Sequence, residues 1–250
     1  MNIALSGYGN MGQLIGQIAA QRGHTITAVI DPVSPAAHFK ELTEASLEGA
    51  DVLMEFSIPS AAVGNIQTAA RAGKSIVVGT TGWYSEMDTV RDIVNAEGTG
   101  LIWSGNFSTG VNLFFRIAKT ASLLCNRFAE YDPYIHEYHH NGKADSPSGT
   151  ASMLGAIVLE AVERKKRTVS ESLKRKIEPD ELHITSTRAG SIPGTHILAF
   201  DSPVDTIELK HTARGREGFA SGAVAAAQWI KDRKGFFSID DMMKDILQGV

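Results

Sequence analysis

One cysteine, Cys125, stands in 250 residues, which excludes an intrachain disulfide and any cysteine-based zinc site. It falls in a helical apolar pattern and reads as a small core residue. No run of about 18 apolar residues occurs, so nothing in the sequence reads as a membrane span. The N-terminal MNIALSGYG lacks a basic start and is too short for the apolar stretch of a signal peptide, so a cytoplasmic location is expected. A basic excess is missing as well. Lys and Arg number 24 against 28 Asp and Glu, a formal net charge of -4, whereas a general nucleic-acid binder needs a cationic surface. Neither an internal repeat nor a low-complexity tract is present. What remains is an ordinary globular composition, long enough for one large domain or two small ones.

The order of segments points to two domains. NIALSG (2–7), TITAVID (25–31), DVLMEFS (51–57), SIVVGTTG (75–82) and LIWSGNF (101–107) read as short buried strands. Helix-like stretches from Met11 to Arg22, from Ala61 to Ala72 and near 85–97 separate several of them. Strand, helix, strand at this spacing implies a Rossmann-type, doubly wound parallel sheet, an α/β fold. The pattern then changes. Val111 to Phe128 reads as a long helix, Tyr131 to His140 as a strand, and Ala151 to Arg167 as a helix ending in the basic cluster RKKR. LHITSTRAG, THILAF and DTIELKHTA follow without helices between them, which suggests an α+β domain on a mainly antiparallel or mixed sheet. The expected division is 1–109, completed by 214–250, and 110–213. The tail carries a helix from Phe219 to Lys231 and a shorter one capped at Ser238.

GYGNMG, residues 7–12, is a G-x-G-x-x-G turn between a strand and a helix, with Asp31 at the end of the next strand. In that context it is a dinucleotide loop. Gly7 allows the tight turn, Gly9 lets a pyrophosphate approach the backbone, and Gly12 allows close packing. Tyr8, Asn10 and Met11 complete the loop, and the helix N-terminus offers N–H groups to phosphate. Asp31 is placed to bind ribose hydroxyls. It is followed by Pro32 rather than a cation, which favours NADH over NADPH, although Lys40 is within reach along the chain. Ligands of such sheets sit outside the carboxyl ends of the strands. Gly79, Thr80, Thr81 and Gly82, and then Ser104, Gly105, Asn106 and Phe107, are therefore expected beside the nicotinamide.

HEYHHNGKADSPSGT (136–150) contains H-E-x-x-H, the zinc-and-glutamate motif of metalloproteases. That chemistry needs a helix. Here Pro133 precedes the motif, Asn141-Gly142 follows it, and YIHEYHH alternates as a strand does, which sends His136 and Glu137 to opposite faces. No metal is expected. The residues after it describe a different site. Ser148 or Thr150 can cap the helix that follows, the first turn of that helix can hold an anion, Lys143 adds charge, and His139 and His140 add donors. Such a cluster suits a small acid with carboxylates, and a histidine there can move a proton.

The run Glu137, His139, His140, Lys143, Asp145, Pro147, Ser148, Gly149, Thr150, Ala151 resembles the signature E-x-H-H-x-x-K-x-D-x-P-S-G-T-A of the 4-hydroxy-tetrahydrodipicolinate (dihydrodipicolinate) reductases. VGTTGW, NFSTGVN (106–112), STRAGSIPGTH (186–196) and FASGAVAAAQWI (219–230) extend the likeness over essentially the whole chain. The resemblance implies hydride transfer from NADH or NADPH to a cyclic, unsaturated dicarboxylate in lysine and diaminopimelate biosynthesis. It further implies His139 as proton donor or acceptor, Lys143 as a second proton donor, His140, Gly149 and Thr150 as substrate ligands with Ser148 close by, and a homotetramer. Three features depart from the family. The loop is one residue shorter, with Asn10 where arginine is common. Glu55-Phe56-Ser57 replaces D-F-[ST]. The stretch between Asp31 and Asp51 is short. Two other readings are another two-domain nicotinamide oxidoreductase and a dinucleotide sensor without turnover; turnover with the reductase substrate separates them. Gly105 to Gly110 and Ala213 to Gly215 are the expected hinges.

Overall fold

Strand and helix alternate along the chain in the order β1 (Asn2–Ser6), α1 (Asn10–Gln21), β2 (Thr25–Ile30), β3 (Val52–Glu55), α2 (Pro59–Arg71), β4 (Ser75–Val78), α3 (Met87–Ala96) and β5 (Gly100–Trp103). There follow α4 (Thr109–Cys125), β6 (Asp132–His139), α5 (Gly149–Ala161), β7 (Arg167–Val169), β8 (Glu181–Arg188), β9 (Thr195–Asp201) and β10 (Thr206–Thr212). The chain ends with α6 (Glu217–Ile230), β11 (Gly235–Ser238) and α7 (Ile239–Ile246). This computed structural model describes residues 1–248. The chain divides into two compact units, Met1–Thr109 with the segment from Glu217 onward, and Gly110–Arg216.

The first unit is built on a six-stranded sheet of order β11-β5-β4-β3-β1-β2, parallel throughout. Its strands are apolar at successive residues because both faces are covered. Ile3, Leu5, Val52, Met54, Val77 and Ile102 pack with residues of α1 and α6, whereas Ala4, Leu53, Ile76, Val78 and Leu101 pack with α2 and α3. Each fully buried Ile, Leu or Val contributes about 1.5–3 kcal/mol. The chain leaves β1 for β2 on one side and returns to β3 on the other, so the crevice at the carboxyl ends opens between β1 and β3. Pro59 starts α2, where its missing N–H costs nothing. Ser238 starts α7 in a capping box with Asp241.

The second unit has a five-stranded sheet of order β10-β9-β6-β8-β7. β6 pairs antiparallel with β9 but parallel with β8, and β7 with β8 is also parallel. The sheet is therefore mixed, and β8 and β9, consecutive in sequence, are separated by β6. Helices α4 and α5 pack on one face, against Ile135, Leu182, Ile184, Leu198 and Phe200. The opposite face carries Tyr134, His136 and Tyr138, with Tyr134 37% exposed.

Four sequence expectations change. The strand series does not close at β5, because GFFS of the tail adds β11 beside it. Four residues after the KDRK turn carry no alternation that a pattern search could use. The helix predicted from Ala151 to Arg167 stops at Ala161, where Val162 turns extended. The basic cluster is not a helix end. Lys165 is 2% exposed, and its Nζ donates to the carbonyls of Pro179 (3.1 Å) and Glu181 (2.8 Å) and pairs with Asp132 at 2.6 Å. Arg167 then opens β7. Finally, the helix near 85–97 begins with a 3-10 turn, Tyr84–Glu86. Among the described residues no helix is long and apolar enough to cross a membrane.

Candidate active site

The loop of residues 7–12 is shaped by its glycines. Gly7 has φ +86°, and a Cβ there would run into the Phe56 carbonyl. A Cβ at Gly12 would strike the Gly7 carbonyl, so Gly12 lets α1 close on the turn itself rather than on the strand. Nothing lies within 4 Å of where a Cβ on Gly9 would stand. Gly9 is also the N-cap of α1, and no side chain caps that helix. The first-turn N–H groups therefore remain available to an anion.

Asp31 ties this turn to the next loop. Its Oδ2 accepts from the Tyr8 N–H at 2.7 Å, and its Oδ1 accepts from Val33 at 2.9 Å and Ser34 at 2.7 Å. The bond from Tyr8 leads in lowering the Asp31 pKa below the usual carboxylate range. Three acceptor positions are thus filled inside the protein, which leaves room for about one more donor. Asp31, Gly7 and Gly9 line a 640 Å³ cleft together with Lys40, Phe56 and Ser57. Lys40 itself donates to the Ser34 carbonyl at 2.9 Å.

Phe56 and Ser57 also line a second cleft, of 280 Å³, with Met11, Gly79, Thr80 and Thr81 on its wall. Ser104, Gly105, Asn106 and Phe107 are there too, so every sequence-chosen residue of the two strand ends except Gly82 meets in one place. A Cβ at Gly79 would collide with the Phe56 ring. The hydroxyls face inward. Thr80 donates to Glu55 at 3.0 Å, and Ser104 donates to the Asn106 carbonyl at 2.9 Å. Glu55, fully buried, also takes Asn65 at 3.0 Å and the Ser57 hydroxyl. Sequence reasoning missed Phe56 and Phe219 as lining residues. Glu-Phe-Ser at the end of β3 was the available signal for the first, and nothing local marked the second.

In the second unit the buried face of β6 changes character along its length. Ile135 sits among apolar residues, but two residues on, register places Glu137 between Ser186 of β8 and His196 of β9. The next rung sets His139 beside Arg188. Glu137 is fully buried. Its Oε1 accepts from the Ser148 N–H (2.9 Å), the Ser186 hydroxyl (2.7 Å) and Arg188 Nη2 (2.8 Å). Burial alone would raise its pKa, but the bonds from Ser148, Arg188 and Ser186 outweigh it and bring it to about 2. The other oxygen, Oε2, lies 2.9 Å from His139 Nδ1 and 3.7 Å from His196 Nε2. Donor atoms of Glu137, His139 and His196 fall within 4.8 Å of one another. The charge that balances this carboxylate is Arg188, from the protein itself.

Ser148 caps α5, accepting from the Ala151 N–H at 3.2 Å, and its hydroxyl meets His196 Nε2 at 3.1 Å. His196 is pushed down to about 4, chiefly by burial and then by His139. His139 is also lowered, burial and the Lys143 and Arg188 charges outweighing the opposite pull of Glu137. Lys143, partly buried, pairs with Asp145 at 2.7 Å. A Cβ at Gly149 would enter open space. His136 is on the opposite face of the sheet, against Thr185 and, at 4.4 Å between ring centroids, Tyr138. The H-E-x-x-H run is thereby split across the sheet. Glu137, Ser186, Arg188, Gly194 and His196 were not chosen as site residues from sequence. STRAGSIPGTH, two short polar strand ends around a glycine turn, was the signal that pointed to four of them.

Residues 1–107 match the family described as dihydrodipicolinate reductase, N-terminus, and residues 110–243 match dihydrodipicolinate reductase, C-terminus. A 4-hydroxy-tetrahydrodipicolinate reductase from Christiangramia forsetii is 38% identical over 248 residues, 99% of this chain and 100% of that protein. One from Archaeoglobus fulgidus is 36% identical over 261 residues, 98% of this chain and 100% of that protein. A dipicolinate-bound dihydrodipicolinate reductase from Paenisporosarcina sp. TG-14 shares the fold, with a TM-score of 0.79 at 22% identity over 97% of this chain and 99% of the other.

Proposed function

The chain belongs to the dihydrodipicolinate reductase family, and from that membership we propose which of its groups carry the reaction. It is an oxidoreductase of lysine biosynthesis that reduces 4-hydroxy-tetrahydrodipicolinate, or its dehydrated form, to tetrahydrodipicolinate, bound NAD(P)H supplying the hydride. The first unit is the dinucleotide domain. The uncapped start of α1 and the open space at Gly9 suit a pyrophosphate. Asp31 accepts from ribose, and Gly79 to Thr81 with Ser104 to Phe107 border the nicotinamide. The carboxylate of Asp31 opposes a 2′-phosphate, so NADH is the preferred cofactor despite Lys40 in the same cleft.

The second unit binds the dicarboxylate. Gly149 and Thr150 present the first turn of α5, with Ser148 at its cap, while His140 and Lys143 add a donor and a positive charge. His139 holds the proton that is exchanged with substrate, and Lys143 is the second proton source. The observation that carries this assignment is the joining of His139 to the α5 cap through one buried carboxylate, Glu137, with the Lys143 charge acting on the same ring. Four copies associate through the sheet face that bears Tyr134, His136 and Tyr138, since α4 and α5 both cover the other one.

A coupled assay tests the reading. Substrate is generated in situ from pyruvate and aspartate semialdehyde by the preceding synthase, and oxidation of NADH and NADPH is followed with and without chelator. Oxidation that requires the synthase product and survives chelation is expected. Tight cofactor binding without oxidation would favour the sensor reading.

A further inference from the structure

Glu137 has no role in the assignment above beyond linking two parts of the site, yet its geometry is asymmetric. One oxygen receives three hydrogen bonds, from Ser148, Ser186 and Arg188. The other receives none of these, and it stands 2.9 Å from His139 Nδ1. Neither Oε2 nor Nδ1 makes a hydrogen bond among the described residues, and the 2.9 Å approach between them is a close contact of the two groups rather than an aligned bond. Both side chains are almost wholly buried, 0% and 10% exposed. An unpaired carboxylate oxygen and an unpaired ring nitrogen at that separation, out of water, are each other's available partner, and leaving both unpaired is costly. On the far side of the ring, a Cβ at Gly194 would come within 3.0 Å of His139 Nε2. Gly194 has φ +149°, a conformation that L side chains rarely adopt, so residue 194 sets no side chain against this edge of the ring.

We propose that Glu137 is the positioning residue of His139: it holds the ring proton on Nδ1 and so leaves Nε2 as the atom presented to substrate. The inference rests on His139 being the proton-exchanging group. Other titratable or charged groups face the ring from each neighbouring element. Lys143 and Asp145 come from the loop after β6, Arg188 from β8 and His196 from β9. Among the groups that raise the basicity of the ring, Glu137 acts most strongly, against burial and two cations.

Glu137→Gln distinguishes positioning from scaffolding. The three donors on Oε1 demand an acceptor, so the carboxamide oxygen stays with them and its NH2 group turns to Nδ1. An NH2 group cannot accept a proton, so the imidazole must carry its hydrogen on Nε2 instead. Imidazole ¹⁵N NMR of the full chain, assigned with His139→Gln, reads this directly and without turnover. The expected result is Nδ1–H in the wild type, Nε2–H in Glu137→Gln, and a titration moved to lower pH. The limb of the kcat profile that follows His139 moves the same way, with kcat lower by roughly 10²–10⁴-fold. Glu137→Asp keeps the wild-type tautomer. A purely structural Glu137 would raise KM or weaken the fold and leave tautomer and titration unchanged, which overturns the proposal. If Glu137→Gln does not fold, Nε2–H in the wild type overturns it equally. A chain with Nδ1–H and no reductase activity would sink the functional reading while leaving this one standing.

Discussion

The helices α1 and α5 both begin at a glycine-bearing turn with open space beside it, and they are finished differently. At α1 the N-cap is Gly9, no side chain caps the first turn, and the carboxylate of Asp31 binds backbone N–H groups of the loops. At α5 the N-cap is Ser148, itself bonded to Glu137 and in contact with His196, with Lys143, Asp145 and Arg188 around it. The first turn offers only backbone dipoles, which on the proposed assignment suit a phosphate. The second is a side-chain network in which each charge has a partner, which makes it selective and also makes it titrate. In the proposed assignment, binding and chemistry fall to different kinds of matter: peptide groups in one unit, ionisable side chains in the other.

This contrast can be broken most directly at His139. Replacing it with Gln should lower kcat by roughly 10²–10⁴-fold and leave the NADH dissociation constant, measured by calorimetry, where it was. A lost cofactor affinity would show that the two functions are not separate. The next largest effect is on stability. His196 titrates near 4 in the fold against an ordinary 6.5. A base held neutral in this way favours the fold above pH 6.5, and that contribution disappears as pH falls from 6.5 through 4. Roughly 3 kcal/mol is at stake. Denaturant titrations across this range should show the loss, and His196→Asn should flatten it. Gly12→Ala sharpens the contrast from the other side. Its Cβ meets the Gly7 carbonyl, so a destabilisation of about 1–3 kcal/mol and weaker NADH binding are expected, with the His139 spectrum unmoved. The smallest effect is cofactor choice. NADH should bind about tenfold more tightly than NADPH, near 1.4 kcal/mol, and Asp31→Ser should narrow the ratio.

Legibility followed the same division. Gly7, Gly9, Gly12 and Asp31 could be read because backbone requirements leave a fixed spacing of glycines after a buried strand. The PSGT cap was equally plain, since a capping serine is local to the helix that it starts. Glu137 was visible as part of a zinc motif and of the signature run, but without a role of its own. Its actual partners, Ser186, Arg188 and His196, come from strands about 50–60 residues later in the chain, and register, not spacing, brings them in. Lys165 misled for a related reason. A cation inside RKKR reads as solvated, and its burial depends on the carbonyls of Pro179 and Glu181, which no local pattern announces. The two parallel pairings of the second sheet were hidden because β6, which separates β8 from β9, precedes both in sequence.

The place of β11 has a consequence for how the chain is made. Strand β5 is complete at Trp103, but the strand beside it is supplied by residues 235–238, and the α1 face of the sheet needs α6 as well as α1 to cover it. During synthesis the first unit must therefore wait, with an open strand edge and an uncovered apolar surface, while more than 100 intervening residues emerge. At about 5–20 residues per second that delay lasts roughly 7 to 26 seconds. The second unit, Gly110–Arg216, is continuous and can close on itself in that interval. The segment that finishes the first unit is then made only after the whole of the second.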